Sequence, residues 1–423
     1  MPDETTLPAG VLEKSPPGAF IDACREAPDH LVYFLLNVGD GDTQLLVLPA
    51  ESNDRRGGQP VLPEERSRTA RITRRMIIVD VATTRKLPAL ISALVDAGIV
   101  PDVDDNGTRL FPVVVATHPH DDHLGGMPEF IRRFGDQVVD FWDPGFYHTS
   151  GAYTETMVAL EANQRIDRMQ PTSGTVRFVG ALKLTVLTPG VSLKSRFDTY
   201  GVNVNDASIS LKVSFPAARI AQMPVRGHEE PGAPQDRKYL RLTEPWSLLL
   251  GGDAQTTAWA QATLDFPELK QEGSPLAEEL RAAHGIDQLR AQIVKMPHHA
   301  SKHGVNLELI ERIKPWAVLV SSVGGGGKYN FPHRLAVEAA REGMQPSTTR
   351  TPRRRPDNEL GIHYTGGLED LGSGKRRPLG SIAIMIPPRR GAKPTLWRFL
   401  DGPRDDIVLK DARRMPYLRK TKA

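Results

Sequence analysis

Six residues hold the densest chemistry in the chain: His118-Pro119-His120-Asp121-Asp122-His123. They include three of only 12 histidines in 423 residues, so chance clustering explains them poorly. The run follows the apolar stretch Pro112–Ala116, which reads as a buried strand. The alternating His118 and His120 can point to one side, while Asp122 and His123 reach a second point nearby. That pattern suits two divalent ions sharing a water whose lowered pKa makes hydroxide available near neutral pH. Hydroxide of this kind attacks a phosphorus or carbonyl centre, with Asp121 or Asp122 orienting the water or the second ion. Zinc is the default for histidine and carboxylate ligands, and manganese is the alternative for a nuclease.

The elements that must position these residues follow from hydrophobic pattern. Leu31–Leu36 and Thr43–Leu48 alternate around a glycine-containing turn and read as a hairpin. Arg75–Val81, Phe111–Ala116 and Val138–Trp142 read as further strands, with Arg85–Ala97 and Met127–Phe134 as amphipathic helices between them. A helix is expected at Tyr153–Ile166, then two short strands within Thr175–Leu187 and strands at Ser208–Phe215, Trp246–Leu250, Ile293–Met296 and Ala317–Val323. Helices are expected at Thr256–Phe266, Leu276–Ala283, Leu307–Ile313 and Leu335–Gly343, and a closing hairpin at Ser381–Pro387 and Thr395–Leu400. Strands succeeding strands, with helices interspersed, give an α/β chain: two mixed sheets face to face with helices outside.

His118, His120, Asp122 and His123, followed by Leu124-Gly125-Gly126, resemble the signature of the metallo-β-lactamase superfamily. Leu36-Asn37-Val38-Gly39-Asp40-Gly41-Asp42 and Ile77-Ile78-Val79-Asp80 resemble the opening strands of one branch. Asn205-Asp206-Ala207-Ser208, Leu250-Gly251-Gly252-Asp253, Lys295-Met296-Pro297-His298-His299-Ala300-Ser301 and Asn330-Phe331-Pro332-His333 follow in that branch's order. Together they resemble the soluble hydrolase domain of the ComEC DNA-uptake protein and its free-standing relatives, over roughly residues 30–345. The fold so implied is an αββα sandwich.

The resemblance implies roles for the later motifs. Asp253, after an apolar strand and two glycines, is the expected bridge between the metals, and His333 the late ligand that joins Asp122 and His123. His298 and His299 sit at a strand end, where neighbours point in opposite directions. His299 is favoured at the site, as general acid or ligand, with His298 bracing the loop or meeting substrate. One departure stands out: many members place a histidine before the bridging aspartate, and the stretch Asn205–Ser208 has none. Asp206 or Asn205 could substitute through oxygen, and His148 is a further candidate. The expected catalytic set is therefore Asp122, His299 and Asp253, and the expected metal set is His118, His120, Asp122, His123, Asp253 and His333.

Composition bounds the partners. No run of about 18 apolar residues exists, so no membrane segment is expected, unlike ComEC itself. Met1–Pro17 does not read as a signal peptide, and the lone Cys24 excludes an internal disulfide; a cytoplasmic location is the expectation. The net charge of +3 is uneven: from Gln345 onward 18 Lys and Arg face 8 Asp and Glu, a balance of +10 that leaves −7 for the rest. Arg353, Arg354, Arg355, Lys375, Arg376 and Arg377 are the candidate nucleic-acid-binding residues within that region. The expected organisation is a leader over residues 1–30, a hydrolase domain over 31–345 with an insertion loop at 217–245, and a basic extension over 346–423 packed on that domain. The expected function is a metal-dependent phosphodiesterase or nuclease cleaving DNA, compatible with defence against foreign DNA under a protein activator. The alternative is a small-molecule hydrolase acting on a lactone, thioester or lactam through a deep apolar pocket. A non-catalytic nucleic-acid-binding module with a vestigial site has only the missing histidine in its favour.

Overall fold

A computed structural model describes residues 6–7, 11–13, 15–52, 55–56, 59–60, 72–102, 109–195, 204–217, 246–268, 287–323, 329–344, 357–388 and 392–415. The helix expected at Leu276–Ala283, nearly all of the insertion, the Gly324–Gly327 block and Arg353–Arg355 lie outside these residues.

Two large mixed sheets form the scaffold. The nine-stranded sheet runs in the order Asp167–Met169, Val138–Trp142, Phe111–Val115, Met76–Val81, Thr43–Val47, Leu31–Leu35, Ile382–Ile386, Thr395–Arg398, Arg413–Met415. The seven-stranded sheet runs Val176–Val179, Leu182–Thr188, Ser210–Phe215, Trp246–Leu250, Ile293–Lys295, Ala317–Val320, Ile362–Tyr364.

Side-chain alternation explains how the sheets stack. Along Met76–Val81, Ile77 and Val79 enter a core shared with Leu184, Val213 and Leu248 of the other sheet. Met76 and Ile78 face the opposite way, against Leu87 and Leu90 of the helix Lys86–Asp96 and Phe130 of the helix Met127–Phe134. The outer face of the second sheet is covered likewise, by Trp259 of Thr256–Asp265, Leu309 of Leu307–Ile313 and Val337 of Arg334–Met344. Three apolar layers between helix, sheet, sheet and helix make an αββα sandwich.

The segment set apart by charge is woven into both sheets. Ile382–Ile386 pairs antiparallel with Leu31–Leu35, and Ile362–Tyr364 extends the second sheet beside Ala317–Val320. Trp397 and Phe399 pack edge-on against Phe20 of the helix Ala19–Glu26, which is itself buried in the core. Several basic residues of this segment have structural partners: Arg377 pairs with Glu369, and the buried Arg398 donates to the Tyr364 carbonyl. Lys375 and Arg376 remain exposed on a small separate sheet.

The chain places its reactive loops where parallel strands end. Phe111–Val115 lies between two parallel neighbours, and the loop that follows it carries His118 to His123. In the other sheet Trp246–Leu250, Ile293–Lys295 and Ala317–Val320 are parallel, and their ends lead into Asp253, His298-His299 and Ser321. In open α/β sheets such carboxyl ends are the natural place for a site.

Candidate metal centre

Asp253 sits at the middle of the cluster, 1% exposed, with its two oxygens facing different imidazoles. Oδ1 lies 3.2 Å from His123 Nε2 and 3.6 Å from His299 Nε2. Oδ2 lies 3.7 Å from His118 Nε2 and 3.6 Å from His298 Nε2. Asp122 closes the first of these groups, its Oδ2 being 3.7 Å from His299 Nε2. His120 closes the second, its Nδ1 lying 3.0 Å from His118 Nε2. Asp122, His123, Asp253 and His299 offer donor atoms all within 4.8 Å of one another, and so do His118, His120 and Asp122.

Three atoms of the first group, His123 Nε2, Asp253 Oδ1 and His299 Nε2, are buried without a hydrogen-bond partner. A buried polar atom left unpaired is costly, and three aimed at one another fit a cation between them. The donor set of imidazoles and carboxylates suits a divalent ion of the zinc or manganese kind.

Each buried imidazole is braced from behind. His123 Nδ1 lies 2.7 Å from Asp80 Oδ2, and Asp80 also accepts from the Thr117 backbone N–H at 2.7 Å and hydroxyl at 2.8 Å. His299 Nδ1 lies 3.1 Å from the Ser321 carbonyl and 3.6 Å from Asp42 Oδ1. Asp42 in turn pairs with Lys295, both fully buried. Carboxylate and carbonyl partners of this kind fix the tautomer that presents Nε2 to a metal. Asp42, Asp80 and Lys295 stand in the motifs quoted above without an assigned role. The signal they carry is a charged residue inside or closing an apolar strand.

Burial and charge pull the imidazoles apart. Burial opposes charge on His123 and His299, yet Asp253 with Asp80, and Asp253 with Asp42, hold their pKa values above the ordinary histidine range. Burial wins at His118 and His120, whose values are lowered, and it brings His298 down to about 4. Burial also disfavours the Asp122 carboxylate, but His299 and His123 overcome it and the pKa falls.

The loop geometry depends on glycine. A Cβ on Gly251 would stand 2.6 Å from Pro297 Cγ, so only glycine lets the Asp253 loop meet the turn that carries His298 and His299. A Cβ on Gly126 would stand 2.2 Å from the Thr83 carbonyl oxygen, where the helix after the metal motif docks. The turn itself departs from the strand-end alternation. His298, His299 and Ala300 have φ of 47°, 52° and 62°, and both imidazoles converge on Asp253 instead of pointing apart.

Other expected site residues are placed elsewhere. His333 does not join Asp122 and His123; its Nδ1 accepts from the Lys302 N–H at 3.0 Å and its Nε2 lies 3.2 Å from the Tyr329 carbonyl. His299 holds the place expected for it. Asp206 accepts from the Ala258 N–H at 3.1 Å, serving the start of a helix, while Asn205 Nδ2 lies 3.5 Å from His298 Nε2. His148 lies at the rim, its ring 5.4 Å from that of His120, with Nδ1 accepting from the Ser150 N–H at 3.2 Å.

No family model and no curated protein matches the chain. Solved structures similar to it include a diphosphatase of the PhnP family, at 9% identity over 84% of this chain and 98% of that one, TM-score 0.32. A long-form RNase Z from yeast is similar at 8% identity over 70% of this chain and 38% of that one, TM-score 0.33. CmlA, a diiron β-hydroxylase from Streptomyces venezuelae, is similar at 11% identity over 70% of this chain and 45% of that one, TM-score 0.29. The chain thus spans less than half the length of the last two. Among the described residues, no helix is long and apolar enough to cross a membrane.

Proposed function

We propose that the chain is a binuclear metal-dependent hydrolase of phosphodiester bonds, with DNA as its substrate. The observation that carries the reading is the division of four imidazoles between the two oxygens of Asp253. Asp122, His123 and His299 would hold one ion and His118 and His120 the other, with Asp253 offering one oxygen to each group. Ions held there supply an activated water and screen the charge that builds on phosphorus. Asp122, with its side chain 36% exposed, stands at the mouth of the cluster and orients the incoming group. His299 is fully buried, which suits a ligand better than a proton donor to a leaving group.

The rim supports a substrate that carries aromatic bases. Phe331 packs against both His298 and His299, at 5.3 and 5.5 Å, and Tyr329 stacks on Phe331 with 51% of its surface exposed. Tyr147, 79% exposed, stands beside His148, whose ring packs on His120. Aromatic faces of this kind stack unpaired bases without regard to sequence. Exposed Lys375 and Arg376 add a charge term for a polyanion.

The test is incubation of the metal-loaded full chain with bis(4-nitrophenyl) phosphate, plasmid, single-stranded DNA and RNA, beside a lactone and a thioester. Metal-dependent phosphodiester cleavage, lost in Asp253→Asn and His120→Ala, is expected. Ester hydrolysis without phosphodiester cleavage would move the assignment to the small-molecule hydrolase.

A further inference from the structure

We propose that His298 is the ligand that completes the metal site of His118 and His120, taking the place of the histidine missing from Asn205–Ser208. The assignment rests on the binuclear reading above. Three observations point to it. First, His298 Nε2 approaches the same Asp253 oxygen as His118 Nε2, at 3.6 and 3.7 Å, and His120 Nδ1 lies 3.0 Å from His118 Nε2. Second, the stretch that lacks the histidine lies against this imidazole: Asn205 Nδ2 is 3.5 Å from His298 Nε2. The ring that would come from that stretch is replaced by one from a neighbouring loop. Third, the backbone is held in an unusual state to achieve this. His298, His299 and Ala300 are three consecutive non-glycine residues at positive φ. Left-handed backbone is unfavourable for residues with a Cβ, and nothing in a plain strand-to-helix turn requires it.

The turn is over-determined by its surroundings. The His298 N–H donates to the Gly252 carbonyl at 2.9 Å, and the Ser301 N–H to the His298 carbonyl at 2.7 Å. The ring packs edge-on against Phe331, and its Nδ1 lies 3.0 Å from the Gln255 side-chain amide. With its amide flipped to turn the oxygen toward the ring, Gln255 would accept from Nδ1–H and leave Nε2, the atom facing Asp253 Oδ2 and Asn205 Nδ2, without a proton. A strand-end geometry would have sent His298 away from Asp253. The left-handed turn sends both histidines to it, one to each oxygen.

The experiment uses His298→Asn and His298→Gly in the full chain. Both residues tolerate positive φ, so the turn survives, and neither side chain reaches the Asp253 oxygen. Each variant is loaded with Co(II), exchanged into metal-free buffer, and read by elemental analysis, chelator competition and the visible Co(II) spectrum. Wild type should retain two equivalents. The variants should retain one, with the second bound at least about 100-fold more weakly, since loss of a ligand exceeds the 10–100-fold typical of a residue behind one. His299→Asn should release the other equivalent, with a different spectral change. Retention of both ions at wild-type affinity in the His298 variants overturns the assignment. If turnover then falls and the basic limb of the pH profile moves, His298 is the proton donor instead. A wild type that never takes up two ions overturns the binuclear reading itself, and this assignment with it.

Discussion

Asp80 offers the sharpest test of how the buried carboxylates serve the cluster. It is fully buried, accepts two hydrogen bonds from Thr117 at the start of the metal motif, and faces His123 Nδ1 at 2.7 Å. Asp80→Asn keeps the shape and removes the charge. The amide oxygen can still accept from the Thr117 N–H, so the loop stays anchored. The amide nitrogen then confronts His123 Nδ1, where the carboxylate had accepted a proton. His123 must present a bare Nδ1 to it, which moves the ring proton to Nε2, the atom that faces Asp253 and the metal. Ligation is then blocked unless the ring turns. Removing such a bracing carboxylate typically costs 10–100-fold in metal affinity, or about 1.4–2.7 kcal/mol. The assay is competition against a chromophoric chelator for the ion held by Asp122, His123 and His299, with circular dichroism as a check on folding. Metal affinity within a factor of about two of wild type, in a folded variant, would refute the bracing role; it lies far inside the 10–100-fold expected.

Lys295→Met should destabilise the protein by about 3–5 kcal/mol in urea, because it strands the buried Asp42 charge; a loss below about 1 kcal/mol, the range of a surface pair, would show the pair to be dispensable. Burial, slightly offset by Arg74, pushes the Cys24 thiol up to about 12. A disulfide reagent at pH 8 should leave the folded chain untouched and modify it in denaturant, and rapid reaction of the folded form would contradict its burial. Burial, reinforced by Arg398, holds the His363 pKa down to about 3, below its ordinary 6.5. The unfolded chain therefore binds the extra proton first, so this contribution to stability is whole above pH 6.5 and shrinks toward pH 3 by up to about 1.4 kcal/mol per unit. His363→Gln should flatten the fall in urea stability between pH 6.5 and 4.5 relative to wild type, and an unchanged slope would contradict this.

Much of the scaffold is legible because its signals are local. The run Phe111–Ala116 is apolar throughout, as a strand between two cores must be: Val113 and Val115 face inward, Val114 and Ala116 toward the helices. Asp253 is legible for the same reason: an apolar strand, then two glycines, one of which must lie within touching distance of Pro297. In the basic segment after Gln345 a charge count says nothing of pairing: Arg377 pairs with Glu369 and Arg398 is buried. Ile382–Ile386 reads as half of a hairpin, but its other neighbour, Leu31–Leu35, lies some 350 residues upstream, and no local pattern announces that register. His333 misleads for a related cause. It follows the other motifs in order, and order along the chain does not decide which imidazole reaches the metal when His299 is already braced there by Ser321 and Asp42.

The turn at His298 shows where reasoning from pattern gives out and why. Alternation at a strand end is a property of extended backbone, and it assigns adjacent side chains to opposite faces. The chain leaves extended geometry at Pro297 and takes three left-handed residues, none of them glycine. The residue types do not announce that conformation: histidine tolerates it better than most, but alanine resists it. It is held by contacts that only the assembled fold supplies: Gly251 allowing Pro297 to approach, the Gly252 carbonyl receiving the His298 N–H, and Phe331 packing on both rings from a loop some 30 residues away. Strain held in place by its surroundings at a cluster of ligands is the expected mark of a functional site. The missing histidine before Asp253 and the doubled histidine after Lys295 are then two sides of one arrangement. On the assignment proposed above, the left-handed turn would supply the imidazole that Asn205–Ser208 lacks.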